Sequence, residues 1–298
     1  MAGLEDVFDE FKGEEGESIE TEKEEPKPVV EEKPTVEEPK VKPIPQEVKV
    51  IPKAKSKGIQ EATGLGKDVY TIFGEKGRGK TRLAFSFPGK IACLSFDKKS
   101  INIKVNEFDD NPRIKVYDVL GVVDYSTPVE WLESSDTAFR ELQTLIDSTI
   151  KNFEPDWIVI DGSEIFQQMC EMVMRFRNNL GAFQGIANKN IWKERKLYMK
   201  QIHKKCLDVV KYGLIYTTYV DIKEIIKDGE IVSKTEHPKW ADIVLFETDI
   251  TLRVDSEQDK SGRKFKATVW DSKTKNIKTG MEKDITGKGI EVLMDLKT

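Results

Sequence analysis

Eight consecutive residues, Gly74-Glu75-Lys76-Gly77-Arg78-Gly79-Lys80-Thr81, hold the residue types that bind a phosphate tail. They match the spacing GxxxxGK[ST] in full. Gly74 and Gly79 let backbone amides crowd around phosphate oxygens, Lys80 reaches the β and γ phosphates, and Thr81 offers a hydroxyl to magnesium. The whole run, Glu75, Lys76, Gly77 and Arg78 included, is expected to cradle ATP. Its complement is Trp157–Asp161 (WIVID), an apolar run ending in a carboxylate. Asp161 is expected to hold the Mg2+ shell through water, opposite Thr81.

Hydrolysis also needs a group that orients the attacking water. Glu164, three residues past Asp161, is the first candidate and Asp97 the second. Asp97 alternatively caps a turn or shares the metal shell, and either residue alternatively is an ordinary carboxylate at a strand end. Thr217 and Thr218 close the apolar run LIYTTYV (214–220), where open α/β sheets place ligand contacts. Thr217 is a candidate sensor of the γ phosphate; the competing reading is β-branched filler of a buried strand.

These side chains need a scaffold that brings strand ends together. The pattern gives strand 69–73, helix 81–87 stopped by Pro88-Gly89, strand 91–96, strand 114–118, helix 130–150, strand 157–161 and helix 163–177. A further helix over 188–211 leads to strand 214–220, a hairpin around Asp228-Gly229, and strands at 243–254 and 265–270. Alternating strands and helices predict an α/β fold with a mostly parallel central sheet, extended by C-terminal antiparallel strands. The dipole of the helix after the glycine loop would face the phosphates.

The 298-residue chain carries a formal net charge of -5, unevenly spread. Residues 1–60 hold 16 acidic against 10 basic side chains, whereas 61–298 hold 37 against 38. The first segment is Glu, Lys, Pro and Val in low-complexity order, acidic and then basic, and reads as a disordered tail. Within it Leu4, Val7, Phe8 and Phe11 share one helical face, a possible docking peptide over 4–11 for a protein partner, the alternative being a fraying terminus. Residues 61–298 are expected to form the ATPase domain. Three cysteines without CxxC spacing, no signal peptide and no apolar run of membrane-spanning length predict an intracellular, cytoplasmic protein without a membrane, at a nucleoid or viral replication site. His203 and His237 lack metal-site spacing, so no zinc is expected.

Positive charge is concentrated locally. Helix 188–211 contains eight Lys or Arg, among them Lys189 and Lys193, and Arg175 and Arg177 precede the stretch NNLGAFQG (178–185). The arginines and lysines are candidates for nucleic-acid phosphates and Phe183 for stacking on a base. The alternative is a solvated lysine-rich face with Phe183 folded inward.

With these motifs in order, the chain resembles the RecA/RadA-like P-loop ATPases of the compact phage and archaeal recombination, or single-strand annealing, type. The resemblance covers about 67–280 and rests on GEKGRGKT, WIVIDG (157–162), IWKERKLYMKQI (191–202), LIYTTYV, ADIVLFETDITLRV (241–254) and FKATVWDSKTKN (265–276). It implies head-to-tail self-association into a ring or filament with ATP between neighbours, and binding of single-stranded DNA in recombination, annealing or replication. It also implies that Lys273 and Lys275 act on a neighbour's γ phosphate. Members commonly place a D-x-E pattern after the second strand, where this chain reads Asp97-Lys98-Lys99, which leaves Asp97 or Glu164 for the water. Rival functions on the same core are a helicase-type or packaging motor or loader, and a nucleotide-dependent assembly scaffold.

Overall fold

The structure is a computed structural model that describes residues 66–227, 230–239, 247–260 and 262–294. The expected tail, its docking peptide and the Asp228-Gly229 turn lie outside the described residues. Within them the elements run β1 (Asp68–Phe73), α1 (Lys80–Phe85), β2 (Ile91–Ser95), α2 (Ser100–Phe108), β3 (Ile114–Asp118), α3 (Pro128–Leu145), α4 (Lys151–Phe153), β4 (Trp157–Asp161), α5 (Ser163–Arg177) and α6 (Trp192–Val209). They continue with β5 (Gly213–Thr218), β6 (Val220–Lys227), β7 (Glu230–Pro238), β8 (Ile250–Asp259), β9 (Gly262–Ser272), β10 (Glu282–Asp284) and α7 (Glu291–Met294).

Eight strands form one sheet in the order β10-β9-β8-β1-β5-β4-β2-β3. The strands from β8 to β3 in that order are parallel, and β9 and β10 are added antiparallel. The inner parallel strands β1, β2, β4 and β5 are buried on both faces, because helices cover one and α1 with the C-terminal segment the other. In β4, Ile158 and Ile160 face α3, α5 and α6, while Trp157 and Val159 face α1 and the C-terminal segment; β2 divides its residues the same way. This period-two split fixes the register, since a slip of one residue would exchange the two cores. It also puts Phe73, Asp161 and Thr217 at one edge, through the pairs Asp161 with Thr217 and Ile72 with Thr217.

Four expectations are corrected. The hairpin β6–β7 is a separate two-stranded ribbon and does not extend the main sheet, and β8 joins β1 parallel. Helix α2 is absent from the expected elements: Ile101, Ile103 and Val105 alternate in the sequence, but in the helix Ile103 and Phe108 pack against the core while Ile101 and Val105 stay exposed. Helix α3 begins at Pro128 because Thr127 caps it, accepting from the Glu130 amide, with proline at a first-turn position. It passes through a π-helical stretch at Ile146–Ile150 instead of running regularly to 150. The charged β10 offered no strand signal.

Candidate active site

The chain turns out of β1 directly into the glycine loop, and α1 starts at its end. Two glycines are required there for different reasons. A Cβ on Gly74 would lie 2.3 Å from the carbonyl oxygen of Val254 in β8, so the loop is pressed against the neighbouring strand. Gly79 has φ +93°, and a Cβ there would meet the Phe265 ring of β9 at 2.7 Å. The loop is thereby held between β8, β9 and α1.

Lys80 donates to the carbonyls of Gly74 and Glu75, each at 2.9 Å, and its ammonium lies 4.2 Å from the centre of the Tyr219 ring. Burial pulls its pKa down to about 8, against the opposing pull of Glu164, Asp161 and Asp97. The Thr81 hydroxyl lies 3.0 and 3.1 Å from the two oxygens of Asp161, joining the loop to β4 across the intervening strand β5. Asp161 is buried and also accepts from Thr217 at 2.5 Å and Ser100 at 2.6 Å. Burial nevertheless raises its pKa, the hydroxyl donors only partly opposing.

Thr217 also accepts from the Gly162 amide at 3.0 Å, so its proton is directed to Asp161. Glu164, in the first turn of α5, accepts from Thr218 at 3.2 Å, and burial raises its pKa above the ordinary carboxylate value. Asp97 faces the Tyr219 hydroxyl at 3.5 Å, and its other oxygen accepts from the Lys99 amide at 3.3 Å. Burial, with Asp97 adding to it, pushes the Tyr219 phenol up to about 12.

Lys80, Thr81, Asp97, Asp161, Glu164 and Thr217 line one open cleft of about 750 Å³. The Thr81 hydroxyl and the Asp161 carboxylate form an all-oxygen donor pair, the chemistry that suits Mg2+, so the residues present fit that ion. Among the described residues no cluster of three or more His, Cys, Asp or Glu side chains forms another metal centre.

The remaining expected residues lie elsewhere. Lys273 and Lys275 follow β9 at the opposite end of the sheet: the Lys273 amide donates to Asp249, whose own amide donates to Val69 at the start of β1. They are outside their own chain's cleft. Arg175 is buried, bonded to Glu171 and to the carbonyls of Gly181 and Gln184, so it holds the segment after α5 and is not available to a phosphate. Arg177 is half-buried, bonded to Asp136 at 2.7 Å and packed over Tyr198 and Phe139, and is likewise committed internally. Phe183 does not fold inward: it is 79% exposed, its ring 6.1 Å from that of Trp131. Lys189 and Lys193 are exposed.

Sequence reasoning missed Ser100, Tyr219 and the residues Arg82, Glu107, Arg263 and Phe265 around the loop. Ser100 follows Asp97 by three residues, but only α2 turns it toward Asp161.

A family model described as an AAA domain matches residues 67–288, spanning the glycine loop, Asp161 and the C-terminal strands. The chain belongs to the AAA domain family. This AAA protein is therefore a P-loop enzyme that binds and hydrolyses ATP, built on the α/β core described above. No curated protein matches it. Among solved structures, a KaiC-like protein from the hyperthermophilic archaeon Pyrococcus horikoshii is similar, with a TM-score of 0.39 and 11% identity over 74% of this chain and 86% of that one. No helix among the described residues of the AAA protein is long and apolar enough to cross a membrane.

Proposed function

We propose that the protein is a magnesium-dependent, self-associating ATPase that acts on single-stranded DNA in recombination, annealing or replication. The observation that carries the ATPase part is the Thr81–Asp161 contact beside Lys80, with Glu164 in the same cleft. Lys80 binds the terminal phosphates, and Thr81 and Asp161 would hold Mg2+. When bound, that ion neutralises charge developing on the phosphate oxygens. Glu164 accepts the proton of the attacking water; burial raises its pKa, which makes its carboxylate a stronger base than a free one. Asp97 is the second proton acceptor, and Thr217 holds Asp161 in place.

The nucleic-acid part is supported by the exposed Phe183 together with Lys189 and Lys193, an aromatic ring and cations of the kind that take unpaired bases and phosphates. Arg175 and Arg177 have no place in it. Self-association is supported by exposed apolar side chains at Ile101, Val105 and Tyr125, and in this reading Lys273 and Lys275, which lie outside their own chain's cleft, act on a neighbour's nucleotide. We place the protein in the cytoplasm, with residues 1–60 as a tail to the ATPase domain and its acidic peptide as a partner contact. The test is ATP hydrolysis with and without single-stranded DNA over a range of protein concentrations, with Lys80→Ala as control. Stimulation by DNA that steepens with concentration is expected; a rate strictly proportional to protein and indifferent to DNA would refute the DNA and assembly parts.

A further inference from the structure

The cleft continues past the glycine loop on the side away from Asp161. Sheet order places β4 and β5, with Asp161 and Thr217, on one side of β1, and β8 and β9 on the other. From β9 to β4 is about 19 Å at the usual strand spacing. The loop sits between them. The metal-binding and water-activating carboxylates occupy the β4 side, so a nucleotide with its terminal phosphates there directs its nucleoside end toward β9.

Hairpin β8–β9 outruns the strand beside it. Strand β8 pairs with β1 only through Arg253, while its pairing with β9 continues to Asp259 with Gly262. The overshooting part stands over the loop and brings Arg263 into the cleft. The Arg263 guanidinium donates to the Gly77 carbonyl at 2.5 Å and to the Ser256 hydroxyl at 2.9 Å, and packs 5.4 Å from the centre of the Phe265 ring.

Two other guanidiniums stand around the loop, and both are neutralised. Arg78 pairs with Glu75 at 2.7 Å and Arg82 with Glu107 at 3.0 Å. Among the described side chains Arg263 has no carboxylate partner. An exposed guanidinium without a counter-ion, lining the cleft and touching the backbone of a phosphate loop, is poised for an anion, and its flat fork suits phosphate oxygens.

We propose that Arg263 is a nucleotide-binding residue that holds the inner phosphate, at the nucleoside end, of a nucleoside di- or triphosphate bound in its own chain. Phe265 supports it by fixing the guanidinium plane. This rests on the nucleotide reading of the cleft. Because the inner phosphate takes no part in the displacement, Arg263 contributes to binding in the ground and transition states alike.

The test measures KM and kcat for MgATP, and the Kd of ADP by calorimetry, for the full chain and for Arg263→Ala, Arg263→Lys and Lys80→Ala. For Arg263→Ala, KM and the ADP Kd are expected to rise by a common factor of about 10 to 100, the range for a hydrogen-bonded charge pair, with the loss read in KM and not in kcat. Arg263→Lys, which keeps the charge and loses the fork, is expected to fall between. Wild-type affinity in Arg263→Ala, while Lys80→Ala is impaired, would overturn the proposal and leave the nucleotide site standing. So would a lowered melting temperature of nucleotide-free Arg263→Ala with unchanged ADP affinity, because the guanidinium would then only brace Gly77 and Ser256. Absence of ATP and ADP binding in the parent protein would remove the underlying reading as well.

Discussion

Replacing Gly74 and Gly77 separately by alanine tests how the loop is held. Gly74 has no unusual backbone angle to lose, but its new Cβ would sit 2.3 Å from the Val254 carbonyl oxygen and 3.3 Å from the carbonyl carbon. The obstacle is backbone of β8, next to its pairing of Arg253 with Phe73, so relief requires β8 to retreat from β1. Overpacking that moves a backbone falls at the upper end of its usual range, about 3 kcal/mol. For a fold of this size that lowers the melting temperature by about 6–12 °C. Gly77 has open space around its Cα and φ +75°, so alanine there incurs only the left-handed penalty, about 1–2 kcal/mol. Thermal unfolding of the nucleotide-free protein by circular dichroism reads both. Amide exchange over 250–254 separates them, because only Gly74→Ala loosens β8. If Gly74→Ala melts within about 2 °C of the parent, or if Gly77→Ala is the more damaging, the argument that β8 presses on the loop is wrong.

Three further outcomes are expected. Glu164 has a folded pKa raised by burial, so its charged form weakens the nucleotide-free fold: its contribution to stability is full below the unfolded carboxylate pKa and is lost as pH rises through the folded value. Glu164→Gln is therefore expected to melt no lower than the parent at neutral pH while hydrolysing ATP at least about 100-fold more slowly, and an undiminished rate passes the role to Asp97. Arg175→Ala removes a buried donor from two carbonyls and from Glu171, which keeps Arg195 at 3.4 Å, and is expected to cost about 1–3 kcal/mol in chemical denaturation; an unchanged stability with weakened DNA binding would restore Arg175 to the nucleic-acid surface. Phe183→Ala, at an exposed position, is expected to leave the melting temperature in place and weaken binding of single-stranded DNA by about 1–3 kcal/mol in fluorescence anisotropy, and unchanged affinity would remove the stacking role.

The parallel half of the fold was legible because β1, β2 and β4 are buried along nearly their whole length and each is followed by a helix. Bounds at 114–118, 157–161 and 163–177 coincide with β3, β4 and α5. Local pattern assigned no element to 100–108, where α2 forms with Ile103 and Phe108 packed against the core. The phosphate loop and Asp161 were legible as residues, since their spacing is itself the chemistry. Ser100, Tyr219 and Arg263 were not, because only the fold turns Ser100 onto Asp161, Tyr219 onto Lys80 and Asp97, and Arg263 onto the loop. Arg175 and Arg177 show the converse error: arginine beside a loop suggests a phosphate contact, and only the fold reveals Glu171 and Asp136 waiting for them.

The central claim is that the loop from Gly74 to Thr81 and the carboxylate of Asp161 act together on one magnesium nucleotide. Calorimetric titration of ATP into the full-length protein, with and without Mg2+, tests it most directly when repeated on Lys80→Ala and Asp161→Asn. Tight binding that depends on Mg2+ in the parent, collapses in Lys80→Ala and loses its magnesium dependence in Asp161→Asn is the predicted result. Binding that ignores magnesium in the parent, or survives Lys80→Ala unchanged, would contradict it.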